Sequence, residues 1–200
     1  MLVKQRITPT DYDRLIAFNQ HNEGAHVDRT YLEGAMAYAH VRPEDPDRWV
    51  CTYVINKKPP YRCLVPLASA QQVKALKTKR IAIDQMAEIT LLCRDRSLGW
   101  LPGEQQQFYT NSLIDGLKAG RRYLIGGTAN PDLLPRLMTV LSNLLYEGQI
   151  DLFGVPKYGW VIYASWFGAI WNISRFMVKQ WLAAMTPRRR GGTTSPLPNS

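Results

Sequence analysis

The sequence has few of the residues that build metal sites and disulfide frameworks. Only three cysteines and three histidines occur among its 200 residues. Cys51, Cys63 and Cys93 lie inside apolar segments without C-x-x-C spacing, which predicts buried, reduced thiols rather than disulfides. The histidines form neither an H-E-x-x-H motif nor a Cys/His ligand pattern, so we expect no structural or catalytic metal.

Several other signatures are missing as well. The chain contains no G-x-x-x-x-G-K-[ST] and no G-x-S-x-G motif, which argues against P-loop nucleotide chemistry and against an α/β-hydrolase. The segment from Met1 to Asp13 lacks the apolar stretch of a secretory signal, so we expect a cytoplasmic protein. The net charge of +9 comes without a helix-turn-helix or RNA-binding signature, so sequence-specific nucleic-acid binding is not expected.

Four cations are concentrated between Lys74 and Arg80. This run predicts the solvated face of a helix. The alternative is a contact with the phosphates of a coenzyme or with nucleic acid.

The centre of the chain contains a strand, a loop, a helix and a second strand in succession. Ala87 to Cys93 is a short apolar run with β-branched residues, and Arg122 to Gly127 has the composition of a buried strand. Apolar residues at helical spacing between them predict a helix that ends at Gly120. A β-α-β unit of this size implies that the two strands are parallel, and we expect them to splay apart at their carboxyl ends.

The flanking regions complete an α/β pattern. Toward the N-terminus, the spacing predicts a helix that starts near Thr8 to Thr10, a second helix around residues 27–35, and a hairpin that pairs residues 49–55 with residues 61–67. Toward the C-terminus, Asn130 and Pro131 predict the start of a helix that extends to about Tyr146. Two final strands are expected on either side of residues 156–159.

The loop after the central strand resembles a known coenzyme-binding loop. Residues 96–101 read R-S-L-G-W-L, and this resembles the [QR]-x-x-G-x-[GA] pyrophosphate loop of GNAT-type N-acyltransferases. Leu101 departs from the family's small residue, and Pro102 lacks an N–H donor. The resemblance implies that the pyrophosphate of coenzyme A would bind at Arg96, Gly99, Trp100 and Gly103.

Two further residues take a role from the same resemblance. Asn130 would contact the pantetheine arm, and Tyr146 would protonate the departing thiolate. Simpler interpretations stand beside these: Asn130 also suits a helix N-cap, and Tyr146 a core position. Gly99 and Gly103 are equally typical of plain turns.

The central strand is also similar to that of a narrower group. Residues 88–91 read E-I-T-L and match, in part, the E-[IVL]-S-R pattern of acyl-homoserine-lactone synthases and N-acyl amino acid synthases, with Leu91 in place of the arginine. Glu88 inside an apolar strand is a candidate general base, because burial raises the pKa of a carboxyl group. The alternative is a carboxylate that faces solvent at a sheet edge.

The C-terminal segment is unusual in composition. Residues 166–186 predict an amphipathic helix rich in tryptophan, and residues 187–200 predict a flexible basic tail that contains Arg188 to Arg190. Five cations and no acidic residue follow Ser165. We expect the helix either to pack on its own domain or a partner protein, or to lie on an anionic membrane surface, which would make the protein peripheral at a membrane.

Together these features predict an α/β (α+β) fold with a GNAT-like mixed central sheet flanked by helices, in which residues 1–165 form the acyltransferase-like domain. The expected function is N-acyl transfer from a thioester, with acetyl-CoA, a longer acyl-CoA or an acyl carrier protein as donor and an amine as acceptor. The alternative is a catalytically silent protein of the same fold that has a structural, virion-associated or membrane-docking role.

Overall fold

The structure is a computed structural model that describes residues 1–152 and 154–185. The described residues form two short 3-10 helices, Pro9–Asp11 and Ile83–Gln85, together with seven strands and six α-helices. Their bounds are β1 Val3–Ile7, α1 Tyr12–Glu23, α2 Arg29–Glu33, β2 Ala35–Arg42, β3 Asp45–Asn56, α3 Ser69–Lys79, β4 Met86–Arg94, α4 Glu104–Lys118, β5 Tyr123–Thr128, α5 Leu134–Met138, β6 Asn143–Leu152, β7 Val155–Ser165 and α6 Trp166–Met185.

All seven strands belong to one mixed sheet in the order β1-β2-β3-β4-β5-β7-β6. Neighbouring strands are antiparallel except for β4 and β5, which are parallel. The crossover between these two is α4, as parallel pairing requires. This confirms the predicted α/β fold with a mixed central sheet flanked by helices, and it places β4 in the middle of the sheet.

The two faces of the sheet carry separate cores. Phe108 of α4 packs against Ala87, Ile89 and Leu124 on one face. Gly116 lets α4 approach the sheet closely, because a Cβ atom there would lie 2.8 Å from Cδ1 of Ile89. The opposite face is covered in part by α1 and α2 and in part by residues 61–67 together with α3.

A buried polar network lies beneath α4. Asp115 accepts hydrogen bonds from Nζ of Lys4 at 2.8 Å and from the hydroxyl of Tyr53 at 2.5 Å. His40 is fully buried, and its Nε2 lies 3.0 Å from the amide nitrogen of Asn111. Burial lowers the pKa of His40 to about 4, and the positive charge of Lys4 acts in the same direction. The network joins four elements, β1, β2, β3 and α4.

The first half of the chain differs from the predicted hairpin. Residues 49–55 belong to β3, but β3 pairs with β2 and β4, and residues 61–67 form turns instead of a strand. The predicted hairpin was therefore wrong. The strands β1 and β2 were missed, and the two predicted helices are confirmed as α1 and α2, although Ala35 already begins β2.

The second half also corrects the expected boundaries. The helix that starts near Pro131 is only the short α5, and Tyr146 lies in β6 rather than at the end of a helix. The final hairpin turns between Leu152 and Val155, so residues 156–159 lie within β7. The strand predictions for Arg122 to Gly127 and Ala87 to Cys93 are confirmed within one or two residues.

The two remaining segments from the sequence are helical. The basic run belongs to α3, which has no buried residue, and this agrees with a solvated face. The predicted amphipathic helix is α6. Arg188 to Arg190 and the predicted tail at residues 187–200 lie outside the described residues.

Candidate active site

The sheet opens between β4 and β5. These strands pair at only three positions, from Met86 to Glu88 on β4 and from Tyr123 to Ile125 on β5. Each strand continues beyond the pairing, β4 to Arg94 and β5 to Thr128. The strands therefore diverge at their carboxyl ends and leave a cleft, as expected for the parallel pair. In open α/β sheets, this is the edge at which ligands bind.

A β-bulge interrupts β4 beside this opening. The β3–β4 register shifts on either side of Tyr53, so that Leu91 and Leu92 together oppose this single residue. Leu91 has a φ of 52°, in the left-handed region that residues other than glycine rarely adopt. At a bulge, backbone N–H and C=O groups lose their cross-strand hydrogen bonds. Side chains beyond the bulge then lie on the opposite faces from those they would have in a regular strand. As a result Arg94, six residues after Glu88, lies on the α4 face instead of sharing a face with Glu88.

A cavity of about 300 Å³ lies at the mouth of this cleft, between the end of β4 and the start of α4, and none of its lining residues belongs to β5. Arg94, Trp100, Tyr109 and Arg136 line it, and the guanidinium of Arg94 lies 5.8 Å from the ring centroid of Trp100. Trp100 in turn packs on Phe108, with 5.9 Å between the ring centroids. The lining therefore combines two cations and an aromatic wall with one carboxylate, Glu23, and the cations suit a ligand that carries phosphate.

The first part of the loop is tied to α1. The backbone N–H of Arg96 donates to Oδ1 of Asn22, and its guanidinium forms a 2.8 Å ion pair with Glu23. The backbone N–H of Ser97 donates to Oδ1 of Asp95 at 2.9 Å. The side chain of Arg96 is thus engaged on the α1 side, whereas Arg94 lines the cleft.

The second part of the loop is fixed by an ion pair that the sequence did not indicate. Arg42, at the end of β2, binds both carboxylate oxygens of Glu104 and the carbonyl of Gly99. Glu104 is buried in the first turn of α4 and accepts the N–H of Leu101 at 2.9 Å. The hydrogen bond from Arg42 lowers the pKa of Glu104, so its carboxylate stays charged. Among the described residues, the N–H groups of Gly99, Trp100 and Gly103 have no protein acceptor.

Glu88 lies where β4 and β5 separate, on the face opposite α4. Its carboxylate is fully buried and accepts hydrogen bonds from the hydroxyl of Tyr31 at 2.7 Å and from the backbone N–H groups of Arg62 at 2.9 Å and Cys63 at 2.6 Å. Burial raises the pKa of Glu88, and these three donors act against that shift. The interpretation of Glu88 as a solvent-facing residue at a sheet edge is therefore wrong. Burial and the carboxylate also raise the pKa of Tyr31, which stays protonated as a donor.

The backbone that covers Glu88 depends on a glycine in β5. A Cβ atom at Gly127 would lie 2.8 Å from Cβ of Cys63 and 3.2 Å from the carbonyl of Trp160. Both contacts are too short, so any side chain at this position would displace the segment that donates to Glu88. Gly127 therefore lets residues 61–67 close over the carboxylate.

We expect Gly127→Ala to lower the free energy of unfolding by about 1–3 kcal/mol, the usual effect of inserting a methylene into a packed site. Chemical denaturation measures this difference. Gly34→Ala is the control, because Gly34 has a φ of −97° and a Cβ atom there meets nothing within 4 Å. Equal free energies of unfolding for the two variants would show that the segment around Cys63 can move aside without loss of stability.

The remaining two expected site residues lie away from the cleft lining. Asn130 is exposed, and its Oδ1 accepts the backbone N–H of Asp132 at 2.9 Å in a local turn. The alternative interpretation of Asn130 as a helix N-cap is wrong, because α5 begins at Leu134 and its N-cap is Leu133. Tyr146 is separated from β4 by β5 and β7, and its hydroxyl donates to the carbonyl of Gln149 at 2.8 Å. The tyrosine that lines the cleft is Tyr109 instead.

Sequence reasoning missed several residues around the site. Tyr31, Arg62 and Cys63 reach Glu88 from segments far away in the chain, and no local pattern marks them. Arg42 is similarly remote from Glu104. Among the described residues, no group of three or more His, Cys, Asp or Glu side chains could hold a metal ion.

Comparisons with known proteins agree with this geometry at the level of the fold. Neither a protein-family model nor a curated protein matches the sequence. The structure resembles FeeM, an N-acyl amino acid synthase from uncultured soil microbes, with a TM-score of 0.62 and 15% identity over 90% of this chain and 100% of that one. It also resembles NAA60 from Arabidopsis thaliana in complex with a bisubstrate analogue, with a TM-score of 0.57 and 11% identity over 82% of this chain and 98% of that one.

A third neighbour was solved with its coenzyme. It is a Bacillus subtilis acetyltransferase in complex with CoA, with a TM-score of 0.51 and 16% identity over 82% of this chain and 99% of that one. The strand order, the single parallel pair and the likeness to these neighbours all indicate the same fold. The chain has the GNAT-type N-acyltransferase fold.

Proposed function

We propose that the protein transfers an acyl group from a thioester of coenzyme A or of an acyl carrier protein to an amine. The observation that carries the proposal is the opening between β4 and β5, which diverge after three parallel pairs beside the start of α4. Such an opening gives an extended thioester arm a path between the two faces of the sheet. The neighbouring structure with bound CoA supports the choice of donor.

The donor's phosphates would bind at the mouth of the cleft. The N–H groups of Gly99, Trp100 and Gly103 would donate to phosphate oxygens near the N-terminus of α4. We assign the cationic contribution to Arg94 and Arg136, because both line the cleft while Arg96 is paired with Glu23.

The chemistry would take place where the strands separate. The amine nitrogen attacks the thioester carbonyl carbon, and a backbone N–H at the bulge of Leu91 and Leu92 stabilises the developing oxyanion. The ammonium proton passes to Glu88 through the hydroxyl of Tyr31 or a water molecule. The carbon–sulfur bond then breaks, and the thiolate takes a proton. We assign that proton to Tyr109 rather than Tyr146, because Tyr109 lines the cleft.

The experiment that tests this function is an assay of thiol release with acetyl-CoA, with longer acyl-CoAs and with an acylated carrier protein, each with and without a panel of amines. We expect amine-dependent release of thiol and a product heavier than the amine by the mass of the acyl group. A rise in melting temperature with the same donors would show binding independently of turnover. Absence of both binding and release would reject acyl transfer.

The assignment of charge in the cleft leads to a separate prediction. Arg94→Ala should weaken the binding of free CoA by about 10- to 100-fold, the range for loss of a hydrogen bond to a charged group. Arg96→Ala should cost less than Arg94→Ala, because Arg96 is paired with Glu23 and its loss acts only through the freed carboxylate of Glu23 in the lining. Isothermal titration calorimetry measures both. A larger loss in the Arg96 variant would reverse the assignment.

A specific observation favours the second candidate, a protein of this fold without catalysis. The carboxylate of Glu104, in the first turn of α4, accepts the N–H of Leu101 in the preceding loop, where a diphosphate would bind in an active enzyme of this design. A helix N-terminus that already carries a carboxylate binds a second anion less strongly. This candidate predicts a folded protein that binds no CoA and releases no thiol with any donor.

A further inference from the structure

One side of α6 is packed against the domain. Ala169 is fully buried, and the amide nitrogen of Asn172 donates to the carbonyl of Val140 and to Oγ of Ser142, both at 3.0 Å. The indole N–H of Trp166 donates to the carbonyl of Leu117 at 3.3 Å. These contacts fix the orientation of the helix on the domain.

The other side of α6 exposes large apolar side chains. Phe167 is 78% exposed, Trp171 is 69% exposed and Val178 is 54% exposed. Spacings of four and seven residues place all three on one face of a helix. We refer to Phe167, Trp171 and Val178 as the aromatic patch. Large exposed apolar side chains grouped on one helix face mark an interaction site.

The surroundings of the patch are basic. Trp166 donates its backbone N–H to the carbonyl of Arg122, and its indole N–H to Leu117, the residue before Lys118. Arg122, Lys118 and Arg175 are all exposed. Five cations and no acidic residue follow Ser165 in the sequence.

From this combination, we infer that the aromatic patch docks on an anionic membrane surface, with α6 lying in the plane of the headgroups. Aromatic side chains that flank basic ones suit the interfacial region, where rings contact acyl chains and cations contact lipid phosphates. A protein partner for an apolar helix would not require the exposed cations Lys118, Arg122 and Arg175. No helix in the described part of the chain has the length and apolar character to cross a bilayer. The inference is independent of the acyl-transfer proposal.

The test is co-sedimentation of the full chain with vesicles of phosphatidylcholine alone and of equal parts phosphatidylcholine and phosphatidylserine. We expect binding to the anionic vesicles that weakens as salt is raised, and little binding to neutral ones. The double variant Phe167→Ser/Trp171→Ser should lower the anionic-vesicle affinity by about tenfold or more, because two exposed rings no longer enter the interface. Removal of exposed side chains should leave the fold intact.

The matched control is Val65→Ser/Val155→Ser, which removes two apolar side chains that are 60% and 52% exposed and lie outside α6. It should bind anionic vesicles like the parent. The inference is overturned if the parent ignores anionic vesicles at low salt, or if the double variant binds them equally well. Concentration-dependent self-association that the double variant abolishes, without any vesicle binding, would also overturn it in favour of a protein interface.

Discussion

Glu88→Gln is expected to lower the rate of acyl transfer by about two to four orders of magnitude, the range for loss of a general base. The carboxylate lies at the point where β4 and β5 separate, and its position beside Tyr31 gives the amine proton a route into the protein. Because burial raises the pKa of Glu88, the parent's rate should rise with pH above the usual range of a glutamate, and this rise should disappear in the variant. Thiol release measured across pH gives both results.

The structure indicates that Glu88→Gln also lowers stability, which the sequence alone did not indicate. Both carboxylate oxygens accept backbone N–H groups, from Arg62 and Cys63. A glutamine amide in either orientation would point its NH₂ group at one of these donors. We therefore expect Glu88→Gln to lose about 1–3 kcal/mol of stability, the usual cost of an unpaired buried polar group.

Tyr31→Phe separates the chemical role from the structural one. It keeps both backbone donors of Glu88 and removes only the hydroxyl. If the proton passes through Tyr31, this variant should lose rate while it retains donor binding. A Glu88→Gln protein that is folded, binds donor and transfers acyl groups as fast as the parent at every pH would show that Glu88 serves only to hold the segment at Cys63.

The central β-α-β unit could be predicted because its signals are local. The apolar runs that became β4 and β5 are bounded by polar loops, and α4 has both a helical period and a terminal Gly120, with a φ of 70°. Parallel pairing followed from the connection alone. The position of Glu88 near the proposed coenzyme loop at residues 96–101 could also be predicted, because that loop follows the strand that contains Glu88.

The geometry of the site could not be read from the sequence, because it depends on contacts between distant segments. The bulge at Leu91 has no glycine to mark it, yet it decides which face Arg94 occupies. Arg42 reaches Glu104 across 62 residues of chain. Tyr31 reaches Glu88 across 57 residues. Local patterns identify residue types at such positions but not their partners.

The misplacement of Tyr146 has a physical explanation as well. Residues 133–146 are rich in leucine, which favours helices, and the run lacks the strict alternation of a half-buried strand. In the structure, pairing with β7 makes residues 143–152 a strand at the sheet edge. Tertiary pairing therefore overrides the intrinsic preference of this segment.

His40 provides the second large effect, on stability rather than on rate. Its ring is fully buried between Tyr53 and Phe108, with centroid distances of 5.6 and 5.8 Å. Nε2 contacts the amide of Asn111, and Nδ1 is buried without a hydrogen-bond partner among the described residues. Lys4 and Asp115 are the charged groups that act on the ring, the first opposing protonation and the second favouring it. Burial is the larger cause of the lowered pKa.

The pKa of His40 is about 4 in the folded protein against an ordinary value of 6.5, so the unfolded chain binds its proton first as pH falls. The folded state should therefore lose stability from pH 6.5 down to about pH 4, by about 3 kcal/mol from this residue alone. His40→Phe should reduce the slope of stability against pH in that window, whatever it does to stability at pH 7. Leu15→Ala, in the separate core beneath α1 and away from His40, should lower stability and keep the parent's slope. Urea denaturation at a series of pH values measures these slopes. Equal slopes for the parent and His40→Phe would mean that protonation of His40 does not lower the free energy of unfolding.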